Sequence, residues 1–186
     1  MTNKRQDFLE FLKNSGAVCC KFISAEILIP KKGIRKYCYE NKCGCYDKHL
    51  TCPPLTGTIS EIKEKLKLFK TGILIQYAED INVKSDKKGI KRTRLKLHHV
   101  VLETEKYLQE KMGVKNAWGM IGGCCALFDV CAGFRGEPCE YPEKARVSME
   151  ALAIDVVSLL NRLNLDNKFL NNRISWTGAV LIDINF

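Results

Sequence analysis

Eight of the ten cysteines in this 186-residue chain fall into two short segments, and that grouping limits what the chain can be more than any other feature. The first segment reads Cys38-x4-Cys43-x-Cys45-x6-Cys52-Pro53-Pro54. The second reads Gly122-Gly123-Cys124-Cys125-x5-Cys131-x7-Cys139, with Pro138 and Pro142 around its last cysteine. The meaning of so many thiols depends on the compartment. The first ten residues carry Lys4 and Arg5 with no apolar stretch behind them, unlike a secretory signal, and no apolar run is long enough to span a bilayer. A cytoplasmic protein without membrane attachment is therefore expected. Cytosolic thiols are held reduced, so a disulfide framework is the wrong default, and metal ligation or redox chemistry is the better account.

Four soft thiolates within 15 residues suit zinc or iron, which favour sulfur and need little chain between ligands. Pro53 and Pro54 fix φ and remove backbone donors, stiffening the loop beyond Cys52. A cysteine followed by proline also ends the bacterial ferredoxin run, although the spacing before it differs. A zinc ribbon expects paired knuckles with two residues between ligands, and the first segment has none. In the second segment Gly122 and Gly123 let the backbone come close enough for amides to face sulfide or thiolate. A plain strand-to-loop turn would carry the same residues. Cys38, Cys43, Cys45, Cys52, Cys124, Cys125, Cys131 and Cys139 are the candidate metal ligands. Cys19 and Cys20 lie in a strand pattern, where free cysteine packs as a small hydrophobe.

The chain fits one domain, residues 1–186, and its 46% hydrophobic content argues against disorder. A helix is predicted over residues 4–14, ending near Gly16, with Phe8, Leu9, Phe11 and Leu12 on or near one face. Residues 17–29 read as one strand or two short ones, and residues 34–54 as an irregular stretch that something must hold. Thr58 or Ser60 can cap a helix running to Lys70, with Ile62, Leu66 and Phe69 inward. Residues 73–78 form a buried strand, 86–112 a long helix ended by Gly113, and 116–121 a third strand. Residues 146–163 read as a strong helix and 178–184 as a closing strand. The expected fold is α/β: a single domain with a small mixed sheet of about four strands, flanked by helices and carrying two cysteine-rich loops.

The net charge of +9 raises nucleic-acid binding, since Lys84, Lys87, Lys88, Lys91, Arg92, Arg94 and Lys96 face a single acid, Asp86. That run lacks interleaved aromatics for base stacking, and an acidic redox partner fits the same charges. Among the histidines, His98 and His99 fall on the long helix. His49, inside the first cysteine segment, is the better candidate for a ligand or proton donor, with a surface histidine as the plainer reading. Glu150 is placed to cap or to pair with Arg146. No nucleophile–base pair, phosphate loop or dinucleotide fingerprint is present, so no enzymatic activity is assigned.

Both segments resemble a cysteine-rich family of predicted metal-binding proteins, common in anaerobic microbes (domain of unknown function 2284). The likeness covers nearly the whole chain. It rests on Arg35-Lys-Tyr-Cys38 … Cys43-Gly-Cys45-Tyr46 … Cys52-Pro53-Pro54, and on Cys125-Ala-Leu-Phe128-Asp-Val-Cys131 … Pro138-Cys139-Glu-Tyr-Pro142. The resemblance implies metal or iron–sulfur binding, with Cys38, Cys43, Cys52, Cys125, Cys131 and Cys139 holding the group, and no established reaction. The family usually has cysteine where this chain has Phe128, arginine at Glu140, proline at Val147 and glycine at Ala153. Cys45 is an additional thiol. Either Cys124 supplies the ligand missing at Phe128, or the second site has three protein thiolates and one open iron position. The expected cofactor is an iron–sulfur cluster of the 4Fe-4S type serving electron transfer. The alternative is structural zinc, with the basic helix docking nucleic acid or an acidic partner.

Overall fold

Two nine-residue strands with apolar centres, Thr71–Glu79 and Ile174–Ile182, pair antiparallel and form the centre of the molecule. The structure, a computed structural model, describes residues 2–168 and 170–186. Helix α1 (Thr2–Asn14) leads into strand β1 (Cys19–Ser24), and helices α2 (Lys32–Tyr39) and α3 (Ile59–Leu66) precede β2 (Thr71–Glu79). Helix α4 (Lys87–Met112), strand β3 (Ala117–Met120), helix α5 (Val156–Arg162) and strand β4 (Ile174–Ile182) complete the order. Among the described residues the fold is α/β, with five α-helices around a four-stranded sheet of order β1-β2-β4-β3.

The sheet is antiparallel throughout rather than mixed. Among the described residues the parallel pairing is an isolated bridge between Ile121 and Ser148. Alternation along the strands sends Ile73, Ile75, Val180 and Ile182 to one face, against Phe8 and Leu12 of α1 and Leu97, Val101 and Leu108 of α4. Leu74, Ala179 and Leu181 face the other way, against Ile62 and Leu66 of α3, Phe69, Met149 and Leu159. Both faces of β2 and β4 are thus covered over residues 73–75 and 179–182, which explains why these stretches are apolar without interruption. The long helix α4 begins at Asp86, whose side chain accepts from the Gly89 amide at 2.7 Å, and ends at Gly113 in the left-handed conformation. Among the described residues no helix is long and apolar enough to cross a membrane.

Several boundaries differ from the sequence reading. Residues 32–39 are helical, not irregular, because Arg35 is buried and donates to the carbonyls of Gly57 and Ala151, both at 2.9 Å. Helix α3 stops at Leu66, four residues short of Lys70, while β4 starts at Ile174, ahead of Gly178. The long helix read over 146–163 forms only at 156–162. Ahead of it, Ile121 donates to Val147 at 3.0 Å and Met149 donates to Ile121 at 3.1 Å. Lys31 donates to Ala153, itself at φ +63°, at 2.8 Å. The apolar spacing there records burial of an irregular segment whose backbone partners lie far away in sequence.

Candidate metal centre

Cys38 lies in the last turn of α2, which Arg35 anchors to the 57 and 151 backbones. Beyond it the chain winds through left-handed residues at Asn41, Gly44 and Asp47, which keep the path tight. The Asn41 side chain accepts from the Tyr46 amide at 2.9 Å. Asp47 donates to the Pro53 carbonyl and His49 to that of Cys45, both at 2.9 Å, and Cys52 donates to His49 at 2.8 Å. These bonds fold the segment back on itself, so that Cys45 and Cys52 become neighbours.

Five thiols gather there. Cys45 lies within hydrogen-bonding reach of Cys43 and Cys124, and Cys52 feels the charges of Cys45, Cys124, Cys43 and Cys38. Four are half-buried and Cys43 is exposed. Burial pushes the Cys45 thiol up to about 12, with the Cys124 and Cys43 sulfurs adding to the rise. Burial also raises Cys52 strongly, and it raises Cys38 against the opposing pull of the Arg35 charge. Arg94 of α4 donates to the Cys124 sulfur at 3.4 Å.

The second gathering is separate. Cys125, Cys131 and Cys139 line a narrow cleft with His49 and Phe128, and the Cys131 and Cys139 sulfurs are the thiols that act on Cys125. Adjacent in sequence, Cys124 and Cys125 thus send their side chains to different groups. The two loops meet closely. Leu50 donates its amide to the Cys131 sulfur at 3.5 Å, and a Cβ on Gly133 would lie 2.2 Å from the Lys48 carbonyl oxygen.

His49 is buried in this seam rather than on the surface. Its Nδ1 accepts from the Thr51 amide at 3.3 Å, so in the neutral ring Nε2 carries the proton and donates to the Cys125 carbonyl at 3.2 Å. Burial lowers its pKa, in keeping with the neutral form. Both ring nitrogens are engaged: Nδ1 holds the turn to Thr51 within the first loop, and Nε2 joins the two loops. His98 is likewise buried on α4, with Nε2 against the Lys144 carbonyl at 2.8 Å.

Other expected roles shift. Arg146 pairs with Glu105 of α4 at 2.7 Å, not with Glu150. Glu150 is half-buried, with its Oε2 shielded from water and unpartnered, and desolvation raises its pKa. Asp155 caps α5 by accepting from the Ser158 amide at 3.0 Å. Much of the basic run is engaged within the chain: Lys91 pairs with Asp129, Arg92 and Lys96 with Glu79, and Arg94 with Cys124. Cys20 packs against the core beside α1, as a small hydrophobe would. Glu105 carried no motif signal, and the roles of Arg35, seen only as part of the family signature, and of Arg94, seen only as one of a basic run, exist only once distant segments meet.

The donors fit a thiophilic metal: ten free cysteines, eight of them in the two gatherings. Among the described residues no three His, Cys, Asp or Glu side chains stand at metal-holding geometry, so ligation requires the thiols to rotate inward. The second cleft holds about 20 Å³, room for one ion. Phe128, which lines the cleft, is half-buried and stacks on the exposed Tyr141.

A small α/β domain that gathers thiols in this way has the makings of a cysteine-ligated metal-binding protein. The comparison with known families agrees: a family model described as a predicted metal-binding protein (DUF2284) matches residues 21–182, and the chain belongs to that family. No curated protein and no solved structure matched the chain.

Proposed function

We propose that this is an iron–sulfur protein of the cytoplasm, binding a 4Fe-4S-type cluster through cysteine thiolates and passing electrons. The observation that carries the reading is the meeting of Cys38, Cys43, Cys45 and Cys52 with Cys124 from a distant segment. Four thiolates suffice for a cubane cluster, the same number that a structural zinc ion takes, so the measured metal and sulfide decide between the two. Burial of several thiols together disfavours their charged form, and a bound cationic centre would offset that cost. Such a cluster would accept and release single electrons, while Arg94 at Cys124 and the half-buried setting would tune its potential. The partner we propose is an acidic redox protein. The basic start of α4, with Lys87 and Lys88, leads along the helix to Arg94 and hence to the thiols.

Iron, zinc and acid-labile sulfide measured per chain after purification without oxygen test the reading, together with the visible spectrum. Iron and sulfide with broad brown absorbance are expected. Cys52→Ala and Cys131→Ala should each lose metal, whereas Cys19→Ala keeps it. Zinc without sulfide, or full metal retention in both ligand variants, would overturn it.

A further inference from the structure

We propose that the cavity between α5, the start of β4 and residues 166–168 binds a small organic amine, whose ammonium group meets the Glu150 carboxyl. Val83, Val156, Leu160, Ile174 and Trp176 wall a space of about 240 Å³, and Glu150 lines it with them. The Ser148 side chain and the Gly123 amide act on that carboxyl. Its Oε2 is nevertheless shielded from water and, among the described residues, has no hydrogen-bond partner. Such an oxygen is costly to keep, and a donor arriving there recovers that cost. The neighbouring cations are engaged elsewhere. Arg146 pairs with Glu105, and Arg173, which also lines the cavity, pairs with Asp80 at 2.7 Å.

The lining chooses the class of ligand. An ionised carboxylate only accepts hydrogen bonds, and a cationic donor offsets the cost of its burial better than a neutral one. Among the described residues the lining offers a metal ion only two acids, Glu150 and the exposed Asp166, too few for a dedicated site. Apolar walls suit a carbon body instead. Trp176 adds an aromatic ring attractive to an ammonium group, and its Nε1 is already donated to Thr93 at 2.9 Å. The volume lies below the range of about 300–1,000 Å³ for drug-sized sites, so the ligand is small. Lys168 and Asp166 stand exposed among the lining residues, with opposite charges that water screens. The cavity also backs onto the segment that delivers Cys124, since a Cβ on Gly123 would come within 3.3 Å of the Trp176 ring. The amine site stands whichever metal the thiols hold.

Calorimetric titration of the full chain with benzylamine tests this, with benzyl alcohol and benzoate as neutral and anionic bodies of similar shape. Benzylamine should bind saturably, one per chain, in the millimolar range or tighter. Benzyl alcohol should bind about tenfold more weakly, and benzoate not at all. Glu150→Gln should weaken benzylamine by about the same factor and leave benzyl alcohol unchanged. Val157 lines the cavity yet is half-exposed, so Val157→Phe should obstruct the space and abolish benzylamine binding without entering the core. Urea denaturation establishes that each variant folds; if Glu150→Gln does not, the three probes and Val157→Phe still decide. Benzylamine that fails to saturate, benzyl alcohol that binds as tightly, or a folded Val157→Phe that binds as wild type does would overturn the proposal.

Discussion

Arg94 donates to the sulfur of Cys124 across 3.4 Å, setting a cation from the long helix directly on a thiol of the first gathering. Gly123 makes room for it, since a Cβ there would lie 3.1 Å from the Arg94 Cδ. A positive charge at this distance favours the more negative, reduced state of a bound cluster. Arg94→Gln should therefore lower the reduction potential, on the order of tens of millivolts. Potentiometric titration of the two proteins at equal iron content checks the direction; an unchanged or raised potential would count against the assignment of Cys124.

Gly133 lets the two cysteine loops touch backbone to backbone. A Cβ at 2.2 Å from the Lys48 carbonyl oxygen must displace main chain rather than a flexible side chain. Gly133→Ala should cost about 1–3 kcal/mol, the usual range for overpacking, and should weaken metal retention in both groups. Chemical denaturation with parallel metal analysis measures the two effects.

The Arg146–Glu105 pair is the main polar fastening beneath β3. Glu105 accepts from Arg146 at 2.7 Å and from the Gly119 amide at 2.8 Å, and both side chains are largely shielded from water. Removing one partner strands the other as an unpaired, buried charge. Arg146→Ala should destabilise by about 3 kcal/mol, and Glu105→Gln by less, because the amide can still accept from Gly119. Urea denaturation midpoints rank the two variants.

His98 should make the fold acid-sensitive. Burial lowers its pKa from 6.5 to about 4, with the charges of Arg146 and His99 adding and the Lys144 carbonyl opposing. Above the unfolded value both states are neutral and nothing is lost. Between the two values the unfolded chain takes up a proton that the folded chain refuses, so stability falls as the pH is lowered, by up to about 3 kcal/mol, and levels off below the folded value. Denaturation at pH 7 and pH 4.5 should show that increment in the wild type and most of it missing in His98→Gln.

Local chemistry was legible where the chain carries its own instructions. Asp86 and Gly113 bracket α4 because a cap and a left-handed stop act within a few residues. Thr58 and Glu61 close a capping box at α3 for the same reason. The segment 146–155 was misleading: Met149 and Leu152 stand one helical step apart and lead into the apolar run of α5, yet with Ile154 they are buried by an irregular path whose backbone partners are Ile121, Pro30 and Lys31. Periodicity reports burial, and burial alone does not choose between a helix and a pinned coil.

The cysteine count, its division into two segments, the prolines after Cys52 and the departure at Phe128 all stand in the sequence, and with them the metal-binding character of the chain. What only the tertiary structure decided is how the thiols divide: Cys124 with the first segment, its neighbour Cys125 with the second. Spacing along a chain governs which ligands can close on one centre locally. The meeting of residues far apart depends on how Arg35, His49 and Gly133 dock the loops, and those contacts arise only when the sheet and its helices have already brought the segments together.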